Sequence, residues 1–155
     1  ADDDITFNED ALTAAISYLD SNPKLSLLLT QASDPSGKLR KQYPKRKTKL
    51  GLLNSARAAT YEMIIRVDAV RQFGVVFDEN FGAGSENYLG DEYIFIADLL
   101  RAGGKGEFVP ITIATHPAIS SGSGLRKGRE ERRSYVAEPS HWLCGWLQAP
   151  SVRTS

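Results

Sequence analysis

The sequence predicts an α/β fold, and three observations carry that reading. Apolar residues fall at helical spacing near the start and again in the middle of the chain, short apolar runs of strand length alternate with them, and the connections are rich in Gly, Pro, Asn and Asp. With 155 residues, 41% of them apolar, the chain can bury one core and is the size of one domain.

The elements follow in order. Over residues 9–19, Leu12, Ile16 and Leu19 share a helical face, Asn8 is placed to cap the first turn, and Asn22-Pro23 stops the helix. Residues 25–30 read as a buried strand, and Ser33-Asp34-Pro35-Ser36-Gly37 is turn chemistry. Residues 38–49 hold Lys38, Arg40, Lys41, Lys45, Arg46, Lys47 and Lys49, with only Leu39 and Tyr43 as large apolar residues, so no core is expected there. This charge run fits a solvated mobile loop, or a surface that attracts an anionic acceptor or an acidic membrane; Pro44 argues against a membrane-lying helix. Residues 61–66 read as a strand, 67–72 as a short helix, and 77–90 as a long Gly-rich loop of functional character. Residues 91–101 are apolar on nearly every side, which predicts a buried helix ended by Gly103-Gly104. Residues 108–114 give another strand. The domain is expected over 1–124 and a helical tail over 125–155, where Trp142 and Trp146 form either a packing face or an interfacial anchor.

Composition excludes several function classes. Nineteen basic residues balance nineteen acidic ones, which argues against a general nucleic-acid binder. A lone cysteine, Cys144, cannot close an internal disulfide, and one Cys with two His cannot build a zinc site. No apolar run approaches the roughly 20 residues that span a bilayer, and no signal peptide stands at the start, so a cytoplasmic setting is the expectation. The absence of a Gly-x-x-x-x-Gly-Lys-Ser/Thr loop leaves a P-loop phosphotransferase without support.

Three clusters can carry chemistry. Asp2, Asp3 and Asp4 are adjacent carboxylates that repel one another unless a cation sits among them, which fits Mg²⁺ or Mn²⁺ carried on a phosphate; the plain alternative is a solvated terminus. An EF-hand is excluded because its sixth and twelfth positions, counted from Asp2, hold Phe7 and Thr13. Asp91 and Glu92 stand after Gly90 in the first turn of the expected helix, where the helix dipole favours their ionised forms, as general bases or as simple capping acids. His116 follows a strand, as a ligand or as a structural histidine. All three lie at ends of α/β elements, where such folds assemble sites.

Read in order, Asp2-Asp3-Asp4-Ile5, Phe77-Asp78-Glu79-Asn80-Phe81-Gly82, Gly90-Asp91-Glu92, Leu99-Leu100-Arg101-Ala102-Gly103, Val109-Pro110 and His116-Pro117 resemble the second half of a family 2 glycosyltransferase. The resemblance runs from Asp2 to about Gly124 and implies a partial GT-A (Rossmann-like) fold. It makes the Asp-rich turn the DXD motif, with Asp4 as the direct metal ligand, Asp2 as a second ligand or a donor contact, and Asp3 nearer the ribose or donor sugar. The family's second acidic motif usually reads Glu-Asp or Glu-Glu; here it reads Asp91-Glu92, which puts the base position on Glu92, with Asp91 second. His116 matches a strand-end histidine that coordinates the metal in some members. The glycines from Gly82 to Gly90 are then expected to shape the acceptor side, and residues 120–124 to form a loop near the donor.

The implied activity is metal-dependent, inverting transfer of a sugar from a nucleotide-diphosphate sugar to the hydroxyl of a glycan or lipid-linked acceptor, in polysaccharide or glycan biosynthesis. The family's nucleotide-binding strands precede the DXD turn, so the resemblance implies that an N-terminal half supplies the base and ribose pockets, and that this chain is inactive without it. A free sheet edge would favour association, with homo-oligomers one outcome. Peripheral contact with the inner face of a membrane fits the basic run. The rival reading is a non-catalytic glycan- or partner-binding module on a degenerate transferase fold.

Overall fold

The computed structural model describes residues 4–56, 58–82, 85, 87 and 90–117. The chain divides into two units, Ala1–Ala118 and Ile119–Ser155. The expected tail, the 120–124 loop, Trp142 and Trp146 lie outside the described residues, as do Asp2 and Asp3.

The described unit is a mixed α/β structure. In chain order it holds β1 (Thr6–Phe7), α1 (Glu9–Asp20), β2 (Leu27–Ser33), β3 (Thr48–Lys49), a 3-10 turn (Thr60–Glu62), β4 (Met63–Ile65), α2 (Val67–Phe73), α3 (Asp91–Arg101) and β5 (Gly106–Thr115). β2 and β5 pair in parallel at the centre, β4 adds antiparallel to β2, and β1 and β3 share the outer edge of β5.

Local chemistry accounts for the helices. Asn8 caps α1 as expected, its Oδ1 accepting from the Ala11 N–H at 2.9 Å. α2 ends at Gly74 in the left-handed conformation, and α3 spans the residues predicted for it, stopping at Ala102 before Gly103.

β2 is buried at all seven positions, and its alternation feeds two cores. Leu27 and Leu29 pack with Phe108 against Val70 of α2 and Phe95, Ile96 and Leu99 of α3. Leu28 turns to the opposite face with Val109 and Leu19 of α1, and Ala32 and Ala114 meet Ala15 there. Helices therefore cover both faces, which is why the central strands read as apolar runs. Each fully buried Leu contributes about 1.5–3 kcal/mol. The strand outlasts the expected end at Thr30 because its polar residues find partners: Thr30 donates to the Glu62 carbonyl at 2.8 Å, and Gln31 accepts from the Thr112 hydroxyl at 3.3 Å. Pro110, which has no N–H for the ladder, falls inside the register shift between Leu29 and Gln31.

The basic segment departs from the expectation of a solvated loop without a core. Tyr43 packs against Phe108, with ring centroids 6.1 Å apart, and Thr48 and Lys49 form β3 on β5. Lys41 pairs with Glu62 at 2.7 Å, and the Tyr43 hydroxyl donates to the same carboxylate. Burial first, and then this carboxylate, push the Tyr43 phenol far above its ordinary range. Lys38, Lys45, Arg46, Lys47 and Lys49 stay exposed. A charge count could not separate the one lysine that is pulled inward from those that are solvated.

Among the described residues no helix is long and apolar enough to cross a membrane. Glu62 is only 2% exposed, and removing one partner of a buried pair costs about 3–5 kcal/mol. Lys41→Met, which leaves the Glu62 carboxylate buried without its cation, is therefore expected to lower unfolding free energy by up to about that amount in urea titration; a loss within surface-mutation range, about 0.5 kcal/mol, would show the pair to be dispensable.

Candidate active site

Two of the predicted clusters meet around one short turn. His116 follows the last residue of β5, held by its backbone N–H on the Ser33 carbonyl of β2 at 2.9 Å, and it is only 4% exposed. Asp4 reaches the same place because β1, two residues later, pairs Thr6 with Thr115. Asp4 Oδ1 and His116 Nε2 lie 3.6 Å apart.

The tautomer of His116 can be read from its partners. Nδ1 lies 2.8 Å from the Pro117 carbonyl oxygen, which can only accept, so Nδ1 carries the proton. In the neutral ring Nε2 then presents a lone pair toward Asp4 Oδ1, a buried oxygen with no hydrogen-bond partner. Two electron-rich atoms face each other, an arrangement that calls for a cation or a proton. The donor set, one carboxylate and one imidazole whose second nitrogen is oriented by a carbonyl, suits Mg²⁺ or Mn²⁺ through its oxygen and Mn²⁺ through its nitrogen. No group of three or more described His, Cys, Asp or Glu side chains converges, so two ligands are what the described residues offer.

The surroundings hold His116 still. Tyr61 stacks on the imidazole with ring centroids 5.2 Å apart, and the Arg40 guanidinium donates to the His116 carbonyl at 3.3 Å and also to the Pro117 carbonyl. Neither residue was singled out from the sequence. Tyr61 looked like an ordinary strand residue and Arg40 like one charge in a run; the only available signal was an aromatic and an arginine at element ends.

The acidic pair stands where it was expected, in the first turn of α3. Glu92 Oε1 accepts from the Thr60 hydroxyl at 2.7 Å and from the Thr60 N–H at 3.2 Å. Burial pushes the Glu92 carboxyl up, but the Thr60 hydroxyl and the α3 backbone outweigh it and hold the group below the ordinary glutamate range. Asp91 goes the other way: burial, and then the neighbouring Glu92 carboxylate, raise it. Its carboxylate lies against Gly82, where a Cβ would come within 2.8 Å of Asp91 Oδ2, and Gly82 has φ of 95°. That contact explains a glycine in the loop that precedes the helix.

The 3-10 turn thus joins the clusters, with Thr60 on Glu92, Tyr61 on His116 and Glu62 anchored in the core. No family model, curated protein or solved structure matches this chain.

Thr60→Val deletes the hydroxyl that favours ionised Glu92, so the Glu92 pKa is expected to rise toward the ordinary glutamate range. Carboxyl-carbon NMR titration checks this, and an unmoved Glu92 would show that Thr60 does not set its charge.

Proposed function

We propose that this chain carries the metal-binding and acceptor side of a metal-dependent, inverting glycosyltransferase of family 2 with a GT-A fold, transferring a sugar from a nucleotide-diphosphate sugar to an acceptor hydroxyl. The observation that carries the proposal is the unpartnered Asp4 Oδ1 facing His116 Nε2, because the resemblance assigns ligand roles to these two residues and the fold brings them together from opposite ends of the described chain. Asp4 and His116 are the described residues that would hold the ion, whose chemistry is Lewis-acid neutralisation of a departing diphosphate. Asp2 is the proposed further ligand and Asp3 the proposed donor contact.

The chain's own part in the reaction is proton transfer and orientation. The acceptor oxygen attacks the anomeric carbon as the bond to the diphosphate oxygen breaks, the leaving group keeps the electron pair, and Glu92 takes the hydroxyl proton. Its depressed pKa keeps Glu92 ionised at neutral pH, so it is ready to accept. Asp91, raised by burial and by Glu92, is the second candidate. Tyr61 and Arg40 keep the His116 ring and the strand end in place.

Two measurements test this. His116→Ala is expected to weaken Mn²⁺ binding by at least about tenfold in calorimetric titration, since even outer partners of metal ligands have effects of that size; unchanged affinity would remove His116 as a ligand. In the intact enzyme, Glu92→Gln is expected to lower kcat by about 10²–10⁴ while donor affinity holds. Full turnover would remove Glu92 as the base, and donor binding without turnover in the unmutated protein would favour the non-catalytic module.

A further inference from the structure

A cleft lies at the other end of the central strands. β5 runs ten residues from Gly106 to Thr115, so its two ends are about 30 Å apart, with Asp4 and His116 at one and a cavity of about 550 Å³ at the other. The cleft has an apolar floor of Leu25, Leu50 and Leu100, and Lys24, Lys49 and Lys105 stand around it. Its volume is in the range of small-molecule pockets.

These lysines sit on fixed backbone. Lys24 occupies the turn after α1, which is closed by the Leu25 N–H on the Asn22 carbonyl at 2.9 Å. Lys49 belongs to β3, opposite Glu107 of β5. The Lys105 carbonyl accepts from the N–H groups of Ser26 at 2.7 Å and Leu27 at 3.3 Å. Each lysine is exposed, and none forms an ion pair with a described residue.

The available negative groups are engaged elsewhere. Glu107 is the one carboxylate among the described lining residues, and its Oε2 accepts from the Tyr18 hydroxyl at 2.7 Å, with the Lys47 ammonium 4.0 Å from the centre of the Tyr18 ring. The carbonyls at the end of α1 are also taken. Ser21 bonds Ser17, Asn22 bonds Tyr18, and the Arg66 guanidinium caps Leu19 at 2.7 Å and pairs with Asp20 at 3.7 Å. At the end of α3 the N–H groups of Ala102, Gly103 and Gly104 close on Asp98, Leu100 and Leu99. The lysines are therefore not needed as helix caps, and three lysines and one carboxylate, hydrogen-bonded to Tyr18, line a cleft shared with three leucines.

We infer that this cleft binds a small phosphate ester, its phosphate held by Lys24, Lys49 and Lys105 and its apolar or ring portion resting on Leu25, Leu50 and Leu100. Three compact cations suit a multiply charged oxyanion, while the leucine floor adds affinity that inorganic phosphate cannot use. A divalent cation is disfavoured by the same three charges. The inference is independent of the chemistry proposed around His116.

Phenyl phosphate is the first probe, titrated into the full chain in EDTA so that the Asp4 and His116 end takes no part through a metal. Binding tighter than that of inorganic phosphate is expected, weakened roughly tenfold between low and high salt. Each of Lys24→Gln, Lys49→Gln and Lys105→Gln is expected to lower affinity about fivefold, and the triple variant about 100-fold, with far-UV circular dichroism and urea midpoint unchanged. His116→Ala should leave phenyl phosphate affinity as it was. Arg71→Gln, an exposed charge on α2, is the control; an equal loss there would mean diffuse charge rather than a site, and would overturn the inference. A parallel titration with phosphatidylcholine vesicles carrying phosphatidic acid identifies the source of the phosphate. Lysine-dependent binding to vesicles alone assigns the cleft to a lipid headgroup, lysine-dependent binding of phenyl phosphate assigns it to a soluble ester, and neither binding overturns the inference.

Discussion

The buried carboxylate of Glu62 is the constraint on which the candidate active site depends. Taking an ionised carboxylate out of water costs several kcal/mol, and that cost is offset only where its oxygens are met by well-placed donors. Lys41 meets one oxygen at 2.7 Å and the Tyr43 hydroxyl meets the other, while Thr30 of β2 bonds the Glu62 carbonyl. Both donors to the carboxylate come from the basic segment, so the pairing that neutralises Glu62 also draws that segment onto the sheet. The consequence runs outward from there. With Glu62 fixed, the turn that contains it is fixed, and Thr60 and Tyr61 are left to face α3 and the end of β5.

The parallel pairing of β2 with β5 sets the wider frame. It ties Leu27 to Gly106 at one end and Ser33 to Thr115 at the other, so the connections at the two ends are held at a fixed separation. The two ends differ in chemistry. At the C-terminal end an imidazole and a carboxylate converge with a lone pair toward an unpartnered oxygen, while at the N-terminal end three lysines surround a cleft floored with leucines. The first arrangement is suited to a cation and the second repels one. A chain with no formal net charge can therefore present two ends of different charge character, because the balance in the total says nothing about how the charges are sorted along a sheet.

How much of this was legible in the sequence follows from which residues obey a period. α1 and α3 were readable because their apolar spacing and their caps are local, and the helical range 91–101 needed no tertiary information. β1 and β3, two residues each, have no period to read and exist only because β5 offers a free edge. The strand was ended at Thr30, three residues short of Ser33, for a related reason: polar Thr30 and Gln31 look like the close of a buried run until their partners on Glu62 and Thr112 are known. The site divides the same way. Asp4, Asp91, Glu92 and His116 could be marked as chemistry-bearing residue types at element ends, whereas Thr60, Tyr61, Glu62 and Arg40 gain their roles only from contacts far along the chain. A basic run likewise hides the difference between Lys41, which is half-buried and paired with a carboxylate, and Lys45, which is solvated.

The acidic pair at the start of α3 shows why tertiary contacts, rather than the helix, decide the chemistry. A helix N-terminus favours the ionised form of any carboxylate in its first turn, so on that ground Asp91 and Glu92 should both be lowered. They instead shift in opposite directions, Glu92 down and Asp91 up. The difference lies in what each side chain meets. Glu92 has the Thr60 hydroxyl and N–H, while Asp91 is pressed against the Gly82 backbone and faces the charge of its neighbour. In the proposed transferase this split has a direct consequence for proton transfer. Glu92 is ionised but already occupied by Thr60, so an acceptor hydroxyl must compete with that hydroxyl for Oε1 or use the other oxygen. Asp91 has its carboxyl raised but sits behind a glycine that admits no side chain. The turn that carries Thr60 thus holds Glu92, the proposed base, through a hydrogen bond, just as it holds His116, the proposed ligand, through the stacked ring of Tyr61.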